Sequence, residues 1–531
     1  MPTTHLLLAS AAQQVGDGER AQVHRELGNQ RGPGTVESLV AEALATPYSE
    51  RGVELLTQAI AMSPFDPALY YHRGRIAYNL TVRKSTKRNY EMAIADLEKV
   101  LLDRPRDARI IEILCLTLVQ FGQVFDASGE KQYARAKQLL DEWLATDPDN
   151  TSALAILADW QTRNSTLQAV LATCEKGRKL DRARPEFLLF AGWGYTLHGQ
   201  PRQAIECFTK AIEVQPDPDK HIYPMGRVDL RASRAQAYAR LGEQDVARKE
   251  LQLATSSGVK EDWTFYDWDE LINCYRMLGD AQAALRWSDE RALVAPDCPR
   301  VYEVRSQVYL SLGRLDEARA DFDKLIAMEP KRPSAWTQRA RVYVDLGQWE
   351  KALADFGKAL ELRPDSAEDC NNLAWYLAAC PDPRLRQPDR AVELAKKATQ
   401  LALDDRMCWN TLGVAQYRAG DYQATIESLT KSMEWGSGGT AIDWFFLAMA
   451  HKQLGNREEA RQWYDKAVAC MQTNKPDDVQ LHQFQAEAAA LLGVTLPTVE
   501  PAPEPAAKVE AQEWPKSTPA PEPPKTEEPS K

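Results

Sequence analysis

The sequence predicts an all-α solenoid of stacked helical hairpins, ending in a disordered C-terminal tail. Three observations predict it. First, Tyr302, Tyr309, Gly313, Ala318, Phe322 and Pro330 recur, in order and in register, as Trp336, Tyr343, Gly347, Ala352, Phe356 and Pro364. A fixed period in the range of about 20–50 residues marks an array of stacked units. Second, each unit carries two helical periodicities separated by a glycine. Third, composition changes sharply after Leu496.

The unit builds as follows. Tyr302, Arg305, Ser306 and Tyr309 lie at i, i+3, i+4 and i+7, one face of a first helix. Ala318, Phe322 and Leu325 share a face of a second. Gly313 falls between them, where a helix end favours positive φ. Pro330 and Pro333 stop the second helix, because proline lacks the amide hydrogen that would continue it. Ser306 opposite Ala318, and Ala340 opposite Ala352, are small enough for two backbones to approach.

These positions resemble the tetratricopeptide repeat (TPR): an aromatic, Leu-Gly, then Tyr, Ala, Phe and Pro in order. Trp336–Pro364 carries the resemblance most fully. Arg339-Ala340 stands where the family has Leu-Gly, and the Arg339 stem is expected to lie along the surface. The resemblance implies a right-handed superhelix of helix hairpins.

In chain order, residues 1–34 read as a weakly ordered lead-in broken at Gly32-Pro33-Gly34. Residues 35–216 read as N-terminal repeats with enlarged turns. One turn, between Gly74 and Ala93, holds the basic run Arg83 to Arg88, a solvated loop by its charge. Another separates Ile111–Leu118 from Ala136–Trp143. Residues 217–364 form the central repeats, entered through a long linker, Asp217–Val228. Residues 365–478 form C-terminal repeats, with Cys370 in the aromatic place and a flexible corner at Gly436-Ser437-Gly438-Gly439. Residues 479–494 read as a capping helix over the last open face. Each hairpin is expected to contact only its neighbours. Residues 495–531 hold ten Pro, seven Glu and four Lys and cannot bury enough apolar surface to order themselves. They are expected as a disordered tail of polyproline character, with Trp514 a chance residue in a spacer.

Composition narrows the function. The chain has 531 residues and a formal charge of −11, which argues against a general nucleic-acid binder. Nine cysteines lie apart with no C-x-x-C pair, so neither a zinc site nor a disulfide framework is indicated, and a reducing cytosol is expected. No stretch has the length of a membrane span. Leu6–Ala12 is a short apolar run with no Lys or Arg before it, unlike a signal peptide. No two of the seven histidines stand at i, i+4, and no G-x-S-x-G, P-loop, H-R-D or calcium loop occurs. Neither an enzyme, a cofactor nor a metal is expected.

Binding is better placed. In tetratricopeptide arrays the first helices line the inner face. The resemblance then puts the residues one and five places after the aromatic in a groove. These are Asp269 and Asn273, Glu303 and Gln307, Thr337 and Arg341, Asn371 and Trp375, Asn410 and Val414. The next turn adds Arg276, Asp345, Tyr417 and Arg418. Asn273, Arg276, Arg341, Asn371, Trp375, Asn410, Tyr417 and Arg418 are the candidate peptide-binding residues. Asn pairs with a peptide backbone through donor and acceptor, Arg forks onto carboxylates, and Trp anchors. Trp268, Trp336, Trp409 and Trp444 are core by position.

The expected function is a non-catalytic scaffold whose groove holds segments of other proteins. The block from about Glu368 to Val494 resembles repeat segments of large bacterial multidomain chains, where a kinase or β-propeller often precedes them. That likeness implies the alternative: a tethering or regulatory arm for a separately encoded kinase or other module.

Overall fold

The computed structural model describes residues 35–84, 86–214, 227–256, 263, 265–435, 438–474 and 478–495. The lead-in, most of the Asp217–Val228 linker, Gly436-Ser437 and nearly all of the tail lie outside the described residues. Among the described residues there are twenty-five α-helices and no strand. They run as twelve hairpins and one closing helix: α1 Val36–Leu44, α2 Glu50–Met62, α3 Pro67–Lys84, α4 Lys87–Asp103, α5 Ala108–Val124, α6 Asp126–Thr146, α7 Thr151–Asn164, α8 Leu167–Leu180, α9 Glu186–Leu197, α10 Pro201–Glu213, α11 Arg227–Arg240, α12 Gln244–Ser256, α13 Phe265–Met277, α14 Ala281–Val294, α15 Pro299–Ser311, α16 Leu315–Met328, α17 Pro333–Asp345, α18 Trp349–Leu362, α19 Ala367–Ala379, α20 Pro388–Leu401, α21 Arg406–Ala419, α22 Tyr422–Trp435, α23 Ala441–Gln453, α24 Arg457–Asn474 and α25 Val479–Leu492. Contacts divide the chain after Ala402 into a first unit, α1–α20, and a second, α21–α25.

Each hairpin is closed by the same local chemistry. Gly313 and Gly347 take φ of +69° and +70°, and the next amide donates to the Tyr309 or Tyr343 carbonyl at 2.9 and 2.8 Å. That satisfies a carbonyl the helix end would leave open. Across the hairpin, Ser306, Ala318, Ala340 and Ala352 are fully buried. The aromatic position ties the hairpin to the turn before it. Tyr302 Oη donates to the Pro296 carbonyl at 2.8 Å, and Trp336 Nε1 to Pro330 at 3.0 Å. Trp409 Nε1 donates to Leu403 at 2.9 Å. Trp268 and Trp444 are buried, whereas Trp336 and Trp409 are half-buried. Phe322 and Phe356 fill the centre at 1% exposure, each contributing about 1.5–3 kcal/mol of burial.

The enlarged turns expected in the first repeats are instead extra helical turns. α3 to α6 are 18, 17, 17 and 21 residues long. The surplus packs on itself. Tyr90, Phe121 and Phe125 meet edge-on or tilted at 4.8–5.7 Å and are almost fully buried. The basic run is accordingly no open loop: α3 ends at Lys84, Thr86 caps α4, and Lys87 and Arg88 are exposed on its first turn.

Arg339 does not run its stem along the surface. It donates Nε and Nη2 to Asp355 on α18 at 2.7 and 2.9 Å, and Nη1 to Asp323 on α16 at 2.8 Å. Arg305 does the same with Asp321 and Asp289, Arg73 with Asp96 and Thr57, and Arg234 with Glu250 and Thr209. One guanidinium thus clamps its own hairpin and fastens it to the previous one, a use of the fork geometry that lysine lacks.

The first unit also departs from neighbour-only contact. α3 lies against α13, five hairpins later. Arg332, the cap of α17, reaches the Val124 carbonyl at the end of α5 at 3.5 Å. Curvature brings these elements together, so the first helices line the inside of the curve.

Candidate functional site

The two inward positions of each first helix behave differently. The residue one place after the aromatic is spent between hairpins. Asp269 lies against Arg291 and Arg300, with Arg300 Nε at 3.1 Å. Glu303 accepts from Arg300 at 3.0 Å and Arg332 at 2.9 Å. Buried Thr337 donates to Asp369 at 3.4 Å. Asn410, 4% exposed, donates Nδ2 to buried Asp443 at 2.7 Å. Backbone approach is close enough here that this position meets the next first helix rather than solvent. Asn410 therefore does not face an open groove. Asn371 is half-buried, and its side-chain oxygen has no hydrogen-bond partner among the described residues.

The residue five places after the aromatic stays open in the first unit. Asn273, Gln307, Arg341 and Trp375 follow one another on α13, α15, α17 and α19 at the repeat spacing. Arg341 is exposed, and the other three are half-buried. Arg341 Nη2 makes one long contact, 3.5 Å to Glu368. Arg276 donates to Asn273 at 3.1 Å. Burial, and then the nearby Arg300, lowers its guanidinium pKa. Burial raises the carboxyl of Asp345 and, more deeply set, the phenol of Tyr376 beside Arg341.

In the second unit the equivalent surface is covered. Val414 is fully buried. α25 packs on α23 and reaches back to α21, where Glu487 forms a two-toothed ion pair with Arg418, whose side chain is 7% exposed. Phe484 meets Phe446 edge-on at 5.0 Å, and Phe446 meets Tyr417 at 5.4 Å. Burial, then Glu487, pushes the Tyr417 phenol up to about 12. Tyr417 and Arg418 are thus held by the chain's own closing helix.

Sequence reasoning missed two arrangements. The Arg–acid clamps had a signal: an acid sixteen residues after Arg234, Arg305 and Arg339. The other had none, because its members come from four hairpins. A cavity of about 530 Å³ opens between the ends of α7, α9, α11 and α13, lined by Arg163, Trp193, Leu197, His198, Ser233, Gln236, Arg240 and Glu270. Trp193 Nε1 donates to Ser233 at 2.9 Å, Ser233 donates to Glu270 at 3.4 Å, and Gln236 donates to the same carboxylate. Among the described residues no helix is long and apolar enough to cross a membrane.

The tetratricopeptide-repeat family pattern matches residues 276–335, 333–366 and 444–469. No curated protein matches the chain. Several solved structures are similar. The APC/C hetero-tetramer Cut9–Hcn1 is 14% identical, with 91% of this chain and 95% of that one aligned at a TM-score of 0.39. YrrB, described as a TPR protein with an unusual peptide-binding site, is 20% identical over 38% of this chain and 97% of its own, with a TM-score of 0.29. MamA from Desulfovibrio magneticus RS-1 is 19% identical over 33% and 97%, with a TM-score of 0.30.

Proposed function

We propose that this chain, a tetratricopeptide-repeat protein, is a non-catalytic scaffold that holds segments of partner proteins on the inner face of its first unit. One observation carries the reading: Asn273, Gln307, Arg341 and Trp375 form an unburied line along four successive first helices. The line offers amides for a peptide backbone, a guanidinium for a carboxylate and an indole as anchor. The equivalent line of the second unit is occupied by α25, which favours the first unit as the docking face. Among the described residues no two of the nine cysteines are joined in a disulfide, which suits the reducing cytosol. The site needs no cofactor, and its partners are proteins rather than nucleic acid.

Pull-down from the source cell extract tests this. The Arg341→Ala, Trp375→Ala double variant is expected to lose partners while keeping its helical circular dichroism. Unchanged capture by that variant would move the site elsewhere.

A further inference from the structure

The cavity between α7, α9, α11 and α13 combines charge with an apolar wall. Arg163 is exposed and forms no ion pair among the described residues. Arg240, also exposed, donates Nη1 to the Thr196 carbonyl at 2.8 Å, which fixes its guanidinium at the cavity edge. Among the described residues the only carboxylate lining the cavity is Glu270, so two arginines face one acid. Trp193 and Leu197 supply the apolar side, and the Trp193 indole is oriented by its bond to Ser233.

We propose that this cavity is a subsite for an acidic side chain of a bound protein segment, taken between Arg163 and Arg240, with the neighbouring apolar residue against Trp193 and Leu197. The proposal rests on the reading of the inner face as a partner-binding surface and adds the residue type recognised there. Charge complementarity selects the occupant, because a carboxylate completes the pairing that Glu270 leaves half made. Arginine forks make such pairing directional as well as strong. The volume admits a side chain and its neighbour, not a folded domain.

Glu270 then acts as an internal competitor. Burial pushes its carboxyl up to about 7, opposed by Arg163, by the Ser233 and Gln236 hydrogen bonds, and by Arg240. Protonation as pH falls through that value removes the negative charge and leaves both arginines to the ligand. Among the described residues His198 also lines the cavity, with its Nδ1 2.9 Å from the Gly194 carbonyl. Glu270→Gln removes this titration while keeping the shape of the side chain.

The test uses the full chain and two pools of short fluorescein-labelled peptides, otherwise random and free of acids. One pool has a fixed Glu-Leu pair, the other Gln-Leu. Anisotropy is expected to show roughly tenfold tighter binding of the Glu pool. Arg163→Gln should erase that preference, and Arg163→Lys should keep part of it. Glu270→Gln should tighten the Glu pool and flatten most of its dependence between about pH 6 and pH 8. Equal binding of the two pools, binding of neither, or a preference that survives in Arg163→Gln would each overturn the subsite. The Arg341→Ala, Trp375→Ala variant reports separately. Loss of the Glu preference in Arg163→Gln alone, with partner capture still dependent on Trp375, sustains both readings. A Glu preference in a chain whose partner capture ignores Trp375 sustains only the subsite.

Discussion

Arg339 and Asp355 form a two-toothed ion pair between the helices of one hairpin, with Nε and Nη2 at 2.7 and 2.9 Å from the two carboxylate oxygens. The third arm of the same guanidinium holds Asp323 of the preceding hairpin. Arg339 also lies over the Trp336 ring, 4.9 Å from its centroid. The pair joins contact within a repeat to contact between repeats.

Breaking the pair on one side should therefore be costly. Arg339→Ala leaves Asp355, with 8% of its side chain exposed, without its counter-charge. The expected loss is about 2–3 kcal/mol, less than for a fully buried pair because Arg339 retains some solvent. Arg339→Leu combined with Asp355→Leu should recover most of it, since an apolar pair of similar volume is often neutral or better. A urea-unfolding double-mutant cycle checks this, and equal losses in single and double variants would refute it.

Two glycines should respond oppositely to alanine. A Cβ on Gly413 would stand 2.5 Å from the buried Leu429 side chain, and Gly413→Ala should destabilise by about 1–3 kcal/mol. A Cβ on Gly357, inside α18, meets nothing within 4 Å, so Gly357→Ala should stabilise by about 0.5–1 kcal/mol. Thermal melts of the two variants should shift in opposite directions.

Removing the Phe484 ring should release α25 from α23 and α21. Phe484 is 3% exposed, and Phe484→Ala is expected to cost about 3–5 kcal/mol locally. Hydrogen exchange should rise in α25 and at Tyr417 while α1–α20 stay protected. Unchanged exchange in α25 would show that its other contacts, among them buried Leu481 and Ala488 and the Glu487–Arg418 pair, hold the helix without the ring.

His72 sets a pH response. Burial, then Arg75, lowers its imidazole pKa to about 4, against the weaker opposing pull of Asp66. Its Nδ1 is buried without a hydrogen bond among the described residues. The unfolded chain takes up this proton near its ordinary value of 6.5, the folded chain only near 4. Stability is therefore full above about pH 6.5 and is lost progressively as pH falls towards 4. His72→Asn should lose less stability than the natural chain between those limits. Identical acid profiles would contradict the assignment.

Hairpin positions were legible because each rests on one local rule: Gly313 at a left-handed turn, Pro330 at a helix stop, Ala318 at a crossing. Tertiary partners were less so. Asn410 and Arg341 sit on the same helical face in the repeat pattern, yet one is locked to Asp443 and the other is open. The difference is a one-turn offset that decides whether a side chain meets the next helix. Arg418 was read as groove-facing because its occupant, Glu487, lies 69 residues away on a helix with no repeat signature. The helical extensions at α4 and α5 depend on Tyr90, Phe121 and Phe125 meeting, which no single stretch announces.

The meeting of α3 with α13 has a consequence for how such a chain can change. An open array gains or loses a unit by duplication or deletion with little effect beyond the neighbours. Between α3 and α13 the helices form a closed circuit, and a spare or missing hairpin would throw its two ends out of phase. Copy number is therefore frozen in that stretch and, through Arg332 on the Val124 carbonyl, as far as α17, while the hairpins after α17 are freer to vary.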